Sequence, residues 1–441
     1  MKTRTDSRRQ LPTWLCIVLM VSITGVGCTR PSAQSVDIPF DVMEKSIPEL
    51  AASLDAEEVT SRELVAAYLA RIKAYDQYGP ALNTMVFINA NASKRADELD
   101  AERAAGHVRG PLHGIPVVVK DNYDTIDMPT SAGAIGLASS RPPDDAFQVR
   151  RLREAGAIIL GKTNMHELAR GITTVSSIGG QTRNPYDPTR NPGGSSGGTG
   201  AAVAASFAAV GMGSDTCGSI RIPSAHHALV GLRGTRGLAS GDGIVPLSTT
   251  QDIGGPLARS VEDLAITLDA TVGFDPEDEI TRRSEGRLPT TFTDALDSTA
   301  LQGARIAVLE ELLGDEAVDQ PVRTVIETAV EAMRAHGAEV VEIGETDLST
   351  LLQDASVIGL EFGFDFNSYL AETPGAPIRS LSELIELGLY HHVVDDGIRR
   401  SLQVESLDTE EYRERLAKRD IVQRAVQVLL TTYDLVALVY P

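Results

Sequence analysis

The sequence predicts an α/β fold built on a mostly parallel sheet. The clearest observation is the alternation over residues 303–343, where patterns typical of strands at 305–309 and 339–343 enclose a helical pattern at 322–336. Such an alternation indicates a βαβ unit with parallel strands. A second observation is the short apolar run at 115–119, whose β-branched residues predict a buried strand.

Length, composition and charge limit the class of protein. A chain of 441 residues with 42% hydrophobic residues can bury a large core. Its formal net charge is −21, and no block of basic residues compensates for it. Nucleic acids bind proteins largely through basic surfaces, so we expect no nucleic-acid partner.

The first 28 residues resemble a bacterial export signal. An uncharged run at 11–27 follows a basic segment that holds Lys2, Arg4, Arg8 and Arg9. The run is marginal in length for a membrane-spanning helix, so a retained membrane anchor is the alternative.

The end of this run is similar to a lipoprotein cleavage site, in which the cysteine at the cut becomes lipid-modified. The sequence is Gly25-Val-Gly-Cys28, with glycine where leucine is usual. We expect residues 1–27 to be removed as a signal, and residues 28–39 to form a lipidated N-terminus and tether. The expected location is therefore the periplasm or the outer membrane of a bacterium, with a lipid anchor at Cys28.

The next stretch predicts a packing helix. Thr60 and Glu63 have the spacing of a capping box, and apolar residues recur at helical intervals from Leu64 to Tyr75. We assign no chemistry to this helix.

Lys120 lies at the end of the strand predicted at 115–119. A charge at a strand end can reach solvent, or it can pair with the neighbouring Asp121. A third interpretation is a buried lysine, whose pKa falls among apolar neighbours until the neutral amine can act as a base.

Residues 150–170 predict a helix, a short strand at 157–160 and a turn at Gly161. His166 and Glu167 follow, but two adjacent groups without further ligands at metal-binding spacing do not indicate a metal. We predict no metal site.

A glycine- and serine-rich stretch at 191–224 carries the candidate chemistry. Glycines surround Ser195 and Ser196 in its first half and adjoin Ser219 in its second. A glycine-rich backbone can approach a ligand closely and direct its N–H groups at a developing negative charge. A serine within such a backbone is a candidate nucleophile.

Three other interpretations fit this stretch less well. A flexible linker is not usually followed by ten mostly apolar residues, as at 201–210. A phosphate loop requires a lysine after its last glycine, and a dinucleotide-binding fingerprint requires a different glycine spacing. The spacing alone leaves a catalytic and a structural role open.

Three motifs, taken together, resemble the amidase signature family. They are Gly-Gly-Ser-Ser-Gly-Gly at 193–198, Gly-Ser-Ile-Arg-Ile-Pro-Ser at 218–224 and Val-Val-Val-Lys-Asp-Asn at 117–122. The resemblance runs from about Ala52 to the end of the chain. It implies an amide hydrolase with a Ser-Ser-Lys triad and no cofactor. It also implies an α/β/α architecture, with one large mixed, mostly parallel sheet flanked by helices.

The resemblance implies a role for each residue of the triad. Ser219 attacks the amide carbonyl to form an acyl-enzyme, neutral Lys120 is the ultimate base, and Ser195 relays the proton to the leaving amine. In the family the relay serine follows a cis peptide bond, which gives Gly194 a supporting role, and Ser196 is expected to give hydrogen-bonding support. The expected oxyanion hole consists of the backbone N–H groups of Thr216, Cys217, Gly218 and Ser219.

The implied function is hydrolysis of a linear carboxylic amide, in an enzyme closest in character to secreted bacterial peptide amidases. The substrate would be a small-molecule or peptide amide. Cys217 stands where the family usually has glycine, so the loop is either a variant or a damaged site. The rival interpretation is a catalytically inactive, amide-binding lipoprotein of the same fold. With Cys16 in the signal and Cys28 acylated, Cys217 would be the one remaining cysteine, and we expect no disulfide within the chain.

The end of the chain has a pattern of its own. A helical pattern at 409–432 leads into an apolar run at 435–440, which we interpret as a buried strand. A core strand needs neighbours on both sides, and chain termini usually lie at the surface. We therefore expect residues 40–441 to be an amidase domain that is truncated at its C-terminus.

Overall fold

The structure is a computed structural model that describes residues 40–441. The predicted export signal and the lipidation at Cys28 lie outside the described residues. Within 40–441, no helix combines the length and the apolar character needed to cross a membrane.

The strands of the described residues fall into two main sheets and one short hairpin. In chain order they are β1 (Met85–Ile88), β2 (Pro116–Lys120), β3 (Ile158–Thr163), β4 (Val175–Ser176), β5 (Gly180–Gln181), β6 (Val210–Asp215), β7 (Val230–Gly231), β8 (Ile253–Ala258), β9 (Arg305–Val308), β10 (Glu339–Glu342) and β11 (Ala437–Val439).

The larger sheet has six strands in the order β1-β3-β2-β6-β8-β7. β2 pairs in parallel with both β3 and β6, and the other three pairings are antiparallel. Every residue of β2, β3, β6 and β8 is buried. Helices flank this sheet, so the predicted mixed α/β fold is confirmed.

The predicted βαβ unit is also present, in a separate three-stranded sheet ordered β10-β9-β11. β9 pairs in parallel with β10 and with β11. The strand at the end of the chain differs from the prediction, because it is partly exposed rather than buried. As an edge strand it has a neighbour on one side only, and the adjacent Val436 is 71% exposed.

The helices occur on both sides of these strands along the chain. They are α1 (Ile47–Asp55), α2 (Ser61–Tyr75), α3 (Ala92–Ala104), α4 (Phe147–Glu154), α5 (Gly197–Ala204), α6 (Arg221–His226), α7 (Val261–Thr271), α8 (Gln320–Ala335), α9 (Leu348–Leu352), α10 (Ile358–Glu372), α11 (Leu381–Leu387), α12 (Asp395–Leu402) and α13 (Glu410–Thr432). α2 begins after its predicted N-cap, where Thr60 and Glu63 form the capping box. α8 and α13 occupy the predicted segments to within two residues.

Gly161 is not the turn that we predicted. It lies inside β3, which continues to Thr163. A Cβ at this position would overlap the carbonyl oxygen of Phe87 in the neighbouring β1. The glycine therefore permits the close approach of two strands and does not end one.

Candidate active site

Lys120 lies at the end of β2 and is fully buried. β2 is hydrogen-bonded on both sides, so its last residue stays inside the sheet. Burial lowers the pKa of Lys120 to about 7, although the carboxylates of Asp252 and Asp215 act in the opposite direction. A large fraction of the amine is therefore neutral at neutral pH.

The amine of Lys120 faces hydroxyl groups. Its Nζ lies 2.7 Å from Ser195 Oγ, 2.8 Å from Ser214 Oγ and 3.3 Å from Ser214 O. The structure thus brings two residues of the predicted triad into direct contact.

A second buried lysine takes the neighbouring carboxylate. Lys162 in β3 places its Nζ 3.8 Å from Asp121 Oδ1, and it donates to Pro129 O and Thr130 Oγ1 at 3.0 Å each. Successive side chains of an extended segment point to opposite faces, so Lys120 and Asp121 are directed apart. Asp121 therefore pairs with Lys162, and not with Lys120 as one interpretation of the sequence had it.

Ser195 and Ser196 lie directly before the first residue of α5, and both are fully buried. The peptide bond between Gly194 and Ser195 is cis, as the resemblance implied. Ser196 Oγ donates to Ser214 O at 3.2 Å and accepts from Ser214 N at 3.3 Å. Ser196 thus holds the backbone of β6 beside Lys120.

The glycines that open α5 allow it to pack directly against neighbouring chain segments. A Cβ on Gly198 would overlap the backbone carbonyl of Asn164, and a Cβ on Gly197 would overlap the hydroxyl of Thr174. Gly197 N also donates to Thr174 Oγ1 at 3.0 Å. These contacts fix the first turn of the helix, and with it the two serines that precede it.

Asp215 organises the loop after β6. Its buried carboxylate accepts from the N–H groups of Gly218 at 2.8 Å and Ile220 at 3.0 Å. The same carboxylate pairs with Arg221 at 3.2 Å and with Arg233 at 3.1 Å. These contacts shape the loop that carries the predicted nucleophile.

Ser219 lies in this loop and is 4% exposed. Its carbonyl oxygen accepts from Ser196 N at 3.2 Å. The two glycine-rich segments are therefore joined next to Ser195 and Ser219, which the sequence separates by 24 positions.

The expected set of oxyanion donors needs one correction. Of the four predicted N–H groups, that of Gly218 is engaged by Asp215 at 2.8 Å. A carboxylate competes strongly for such a donor. This leaves the N–H groups of Thr216, Cys217 and Ser219 as candidates.

Cys217 carries an exposed free thiol. Its φ lies outside the left-handed region that favours glycine, so this loop accommodates a side chain at that position without backbone strain. Burial of the sulfur and the charge of Asp215 raise the thiol pKa. Cys217 is therefore a poor thiolate nucleophile near neutral pH, and the loop has the character of a variant.

Two further polar residues reach the lysine and were not identified from the sequence. Ser214 contacts Lys120 Nζ as described, and Asn122 Nδ2 donates to Ser214 Oγ at 3.0 Å. A signal was present, since Ser214 is a hydroxyl residue in the strand that leads to the Ser219 loop, and Asn122 belongs to the motif that contains Lys120. Their contact depends on strand order, which the sequence did not supply.

A cavity of about 440 Å³ adjoins Ser214. Its lining includes the carboxylates of Asp242, Asp252 and Asp365 and the ring of Tyr369. A small organic molecule fits in a space of this size.

This arrangement of groups can transfer protons between hydroxyls. A partly neutral amine in contact with one serine can accept a proton, and a second serine lies on a segment joined to the first. The candidate oxyanion donors adjoin the second serine. Such a set suits acyl transfer through a serine ester.

Comparison with known proteins supports the same chemistry. A family model described as Amidase matches residues 63–440. Among curated proteins, the A chain of the glutamyl-tRNA(Gln) amidotransferase of Rhodopirellula baltica is 42% identical over 302 residues, which cover 68% of this chain and 59% of that protein. The chain thus spans about three-fifths of the length of this relative.

Solved structures match over a larger share of the chain. The peptide amidase from Stenotrophomonas maltophilia superposes with a TM-score of 0.85 at 38% identity, covering 90% of this chain and 84% of that one. An amidase family protein from Bacillus anthracis gives a TM-score of 0.82 at 31% identity, covering 90% and 80%.

Proposed function

The chain belongs to the amidase family, and on this basis we propose that it hydrolyses a carboxylic amide bond through an acyl-enzyme on Ser219. The observation that carries the proposal is the 2.7 Å contact between the buried amine of Lys120 and Ser195 Oγ. A buried lysine that faces hydroxyls and carries a pKa of about 7 is suited to act as a base.

The reaction proceeds in two halves. In the first, the bond from Ser219 Oγ to the amide carbon forms, the serine proton passes to Ser195, and the proton of Ser195 passes to Lys120. The amine leaves with a proton returned along the same path, as its bond to carbon breaks. In the second half water attacks the ester in the same way and releases the acid, which restores Ser219.

N–H groups of the loop stabilise the oxyanion in both halves. We assign this role to Thr216, Cys217 and Ser219. Loss of one such donor typically costs about 3 kcal/mol of transition-state stabilisation.

The proposed substrate is a small-molecule or peptide amide. The likeness to a peptide amidase over 90% of the chain favours this class. The cavity beside Ser214 has room for a small amide, and its carboxylates favour neutral or cationic amides over anionic ones. A screen of short peptide amides and fatty amides tests the assignment.

A role on charged tRNA, as in the amidotransferase relatives, is less well supported. The chain spans about 59% of such a relative, and its net charge of −21 opposes binding to a polyanion.

Labelling by a fluorophosphonate probe tests the nucleophile. The parent protein should label on one serine, and Ser219→Ala should lose both the label and amide hydrolysis. The matched control is Ser349→Ala, which removes an exposed hydroxyl of α9. A catalytically inactive, amide-binding protein is the second candidate, favoured by Cys217 in place of the family's glycine, and it predicts no labelling of the parent.

We also propose that the protein is exported and anchored by a lipid at Cys28. The support is the basic segment, the uncharged run and the cysteine that follows it. Cys28→Ser should release the protein from the membrane fraction or block its processing. Cys217→Ser is the control and should leave fractionation unchanged. Unchanged fractionation and mass in Cys28→Ser would contradict lipid anchoring.

A further inference from the structure

We propose that Ser214, oriented by Asn122, is a positioning residue that directs the lone pair of neutral Lys120 at Ser195. The inference deepens the proposed function, and it rests on Lys120 being the base of that reaction. It concerns two side chains to which the family resemblance assigned no role.

The first step is a count of protons on the amine. A neutral lysine has two N–H groups and one lone pair, and its Nζ has three oxygen neighbours within 3.3 Å. One of them, Ser214 O, is a carbonyl and can only accept. If Ser214 Oγ accepts the second N–H, the lone pair remains for Ser195 Oγ. Both N–H groups are then fixed by one residue.

The second step explains why Ser214 Oγ accepts. Asn122 Nδ2 lies 3.0 Å from Ser214 Oγ and 3.3 Å from Val245 O. Since Val245 O is a carbonyl, the atom between the two must be the amide nitrogen, which fixes the orientation of the Asn122 side chain. The amide therefore donates to Ser214 Oγ, so that the hydroxyl proton is directed elsewhere and the second oxygen lone pair is left for Lys120.

The third step concerns the protonated lysine. When Lys120 takes a proton from Ser195, its three N–H groups meet Ser195 Oγ, Ser214 Oγ and Ser214 O at the same distances. The same neighbours serve both protonation states, so no side chain has to rotate during transfer. Ser196 holds Ser214 at its backbone, through the contacts at 3.2 and 3.3 Å.

Charged and titratable groups around Lys120 set the background for a titration experiment. Asp215 at the end of β6 and Asp252 before β8 both favour its charged form. His166, which follows β3, is close enough to be affected by Lys120 and has a pKa lowered to about 4 by burial. These groups are unchanged in the variants below.

The test is the titration of Lys120 followed by NMR of protein labelled with 13C at lysine Cε, in the full chain. Ser214→Ala removes an acceptor from the charged form, so we expect the Lys120 pKa to fall by about one unit, a tenfold change in proton binding. Ser214→Thr keeps the hydroxyl and should restore the parent value. Ser284→Ala is the matched control, since this buried serine donates to Thr281 O at 2.7 Å away from the site and should not move the pKa.

The kinetic half of the test uses the rate of fluorophosphonate labelling at a pH above 8. Ser214→Ala and Asn122→Ala should each slow labelling at least tenfold, and the double variant should be no slower than Ser214→Ala alone, because Asn122 acts through Ser214. An unchanged Lys120 pKa in Ser214→Ala, or multiplicative losses in the double variant, overturns the inference. A shifted pKa in a parent protein that neither labels nor hydrolyses amides supports the positioning of Lys120 and refutes the proposed function.

Discussion

Lys120 and Lys162 occupy equivalent places near the ends of two adjacent parallel strands, and both are fully buried. Burial lowers the pKa of each. Their neighbours differ, because Lys162 has a carboxylate at 3.8 Å whereas Lys120 has two serine hydroxyls within 2.8 Å. The carboxylate favours the charged form of Lys162, which therefore suits a structural ion pair, while Lys120 can be neutral.

The pH dependence of hydrolysis follows from this difference. The base must be neutral, and the pKa of Lys120 is about 7, so kcat/KM should rise as the pH increases through 7 and level off above it. Lys120→Ala should abolish hydrolysis at every pH, whereas Lys94→Ala, at an exposed lysine, should leave the profile unchanged. A profile that stays flat down to about pH 5 would contradict a neutral lysine base.

Removing the other lysine should act on stability. Lys162→Met leaves the buried carboxyl of Asp121 without its cation, which typically costs about 3–5 kcal/mol. Urea denaturation should show this loss in the free energy of unfolding. The double variant Lys162→Met with Asp121→Asn removes the uncompensated charge and should recover part of it. A single variant as stable as the parent would show that the pair is not important for folding.

The site could be predicted at some residues and not at others. Lys120, Ser195 and Ser219 stood out because each lies in a motif. Ser214 did not stand out, because its role comes from the pairing of β6 with β2 across 94 positions of sequence. The engagement of the Gly218 N–H by Asp215 likewise depends on a turn whose shape no spacing rule specifies.

At the scale of single elements, α5 is the helix whose sequence is least typical of a helix. Three of its eight residues are glycine, which ordinarily weakens a helix. Here the missing side chains allow contact with the backbone at Asn164, and that contact sets the position of the serines before the helix. Packing thus overrides intrinsic helix propensity.

Gly198→Ala should therefore destabilise the fold and reduce activity together. The added methyl group overlaps backbone that cannot easily move, and overpacking of this kind typically costs about 1–3 kcal/mol. The matched control is Gly359→Ala in α10, where the added methyl group meets open space and should be neutral or slightly stabilising. Thermal unfolding and probe labelling measure the two effects. Equal behaviour of both variants would refute the packing argument.

Elements with local signals were predicted well, and those decided by neighbours were not. The capping box before α2 and the period of α13 are written in adjacent residues, and both helices begin where expected. The exposure of β11 and the place of Gly161 inside β3 depend on which strands lie alongside. No local pattern carries that information.

At the scale of the whole molecule, charge is the dominant property. A formal net charge of −21 without a basic block repels polyanions. We expect no measurable binding of a transfer RNA at about 50 mM salt, where electrostatic attraction would be strongest. Fluorescence anisotropy with labelled RNA measures this, and a basic RNA-binding protein is the positive control. Saturable binding that weakens with added salt would contradict the prediction.

The exposed thiol of Cys217 has a practical consequence. It is the one cysteine among residues 40–441, and it lies two positions from the proposed nucleophile. A small environment-sensitive dye attached there, above pH 8 because the thiol pKa is raised, would sit at the rim of the reacting centre. Its emission would report arrival and departure of ligands in real time, so the native chain already contains an attachment point for an optical sensor of its own site.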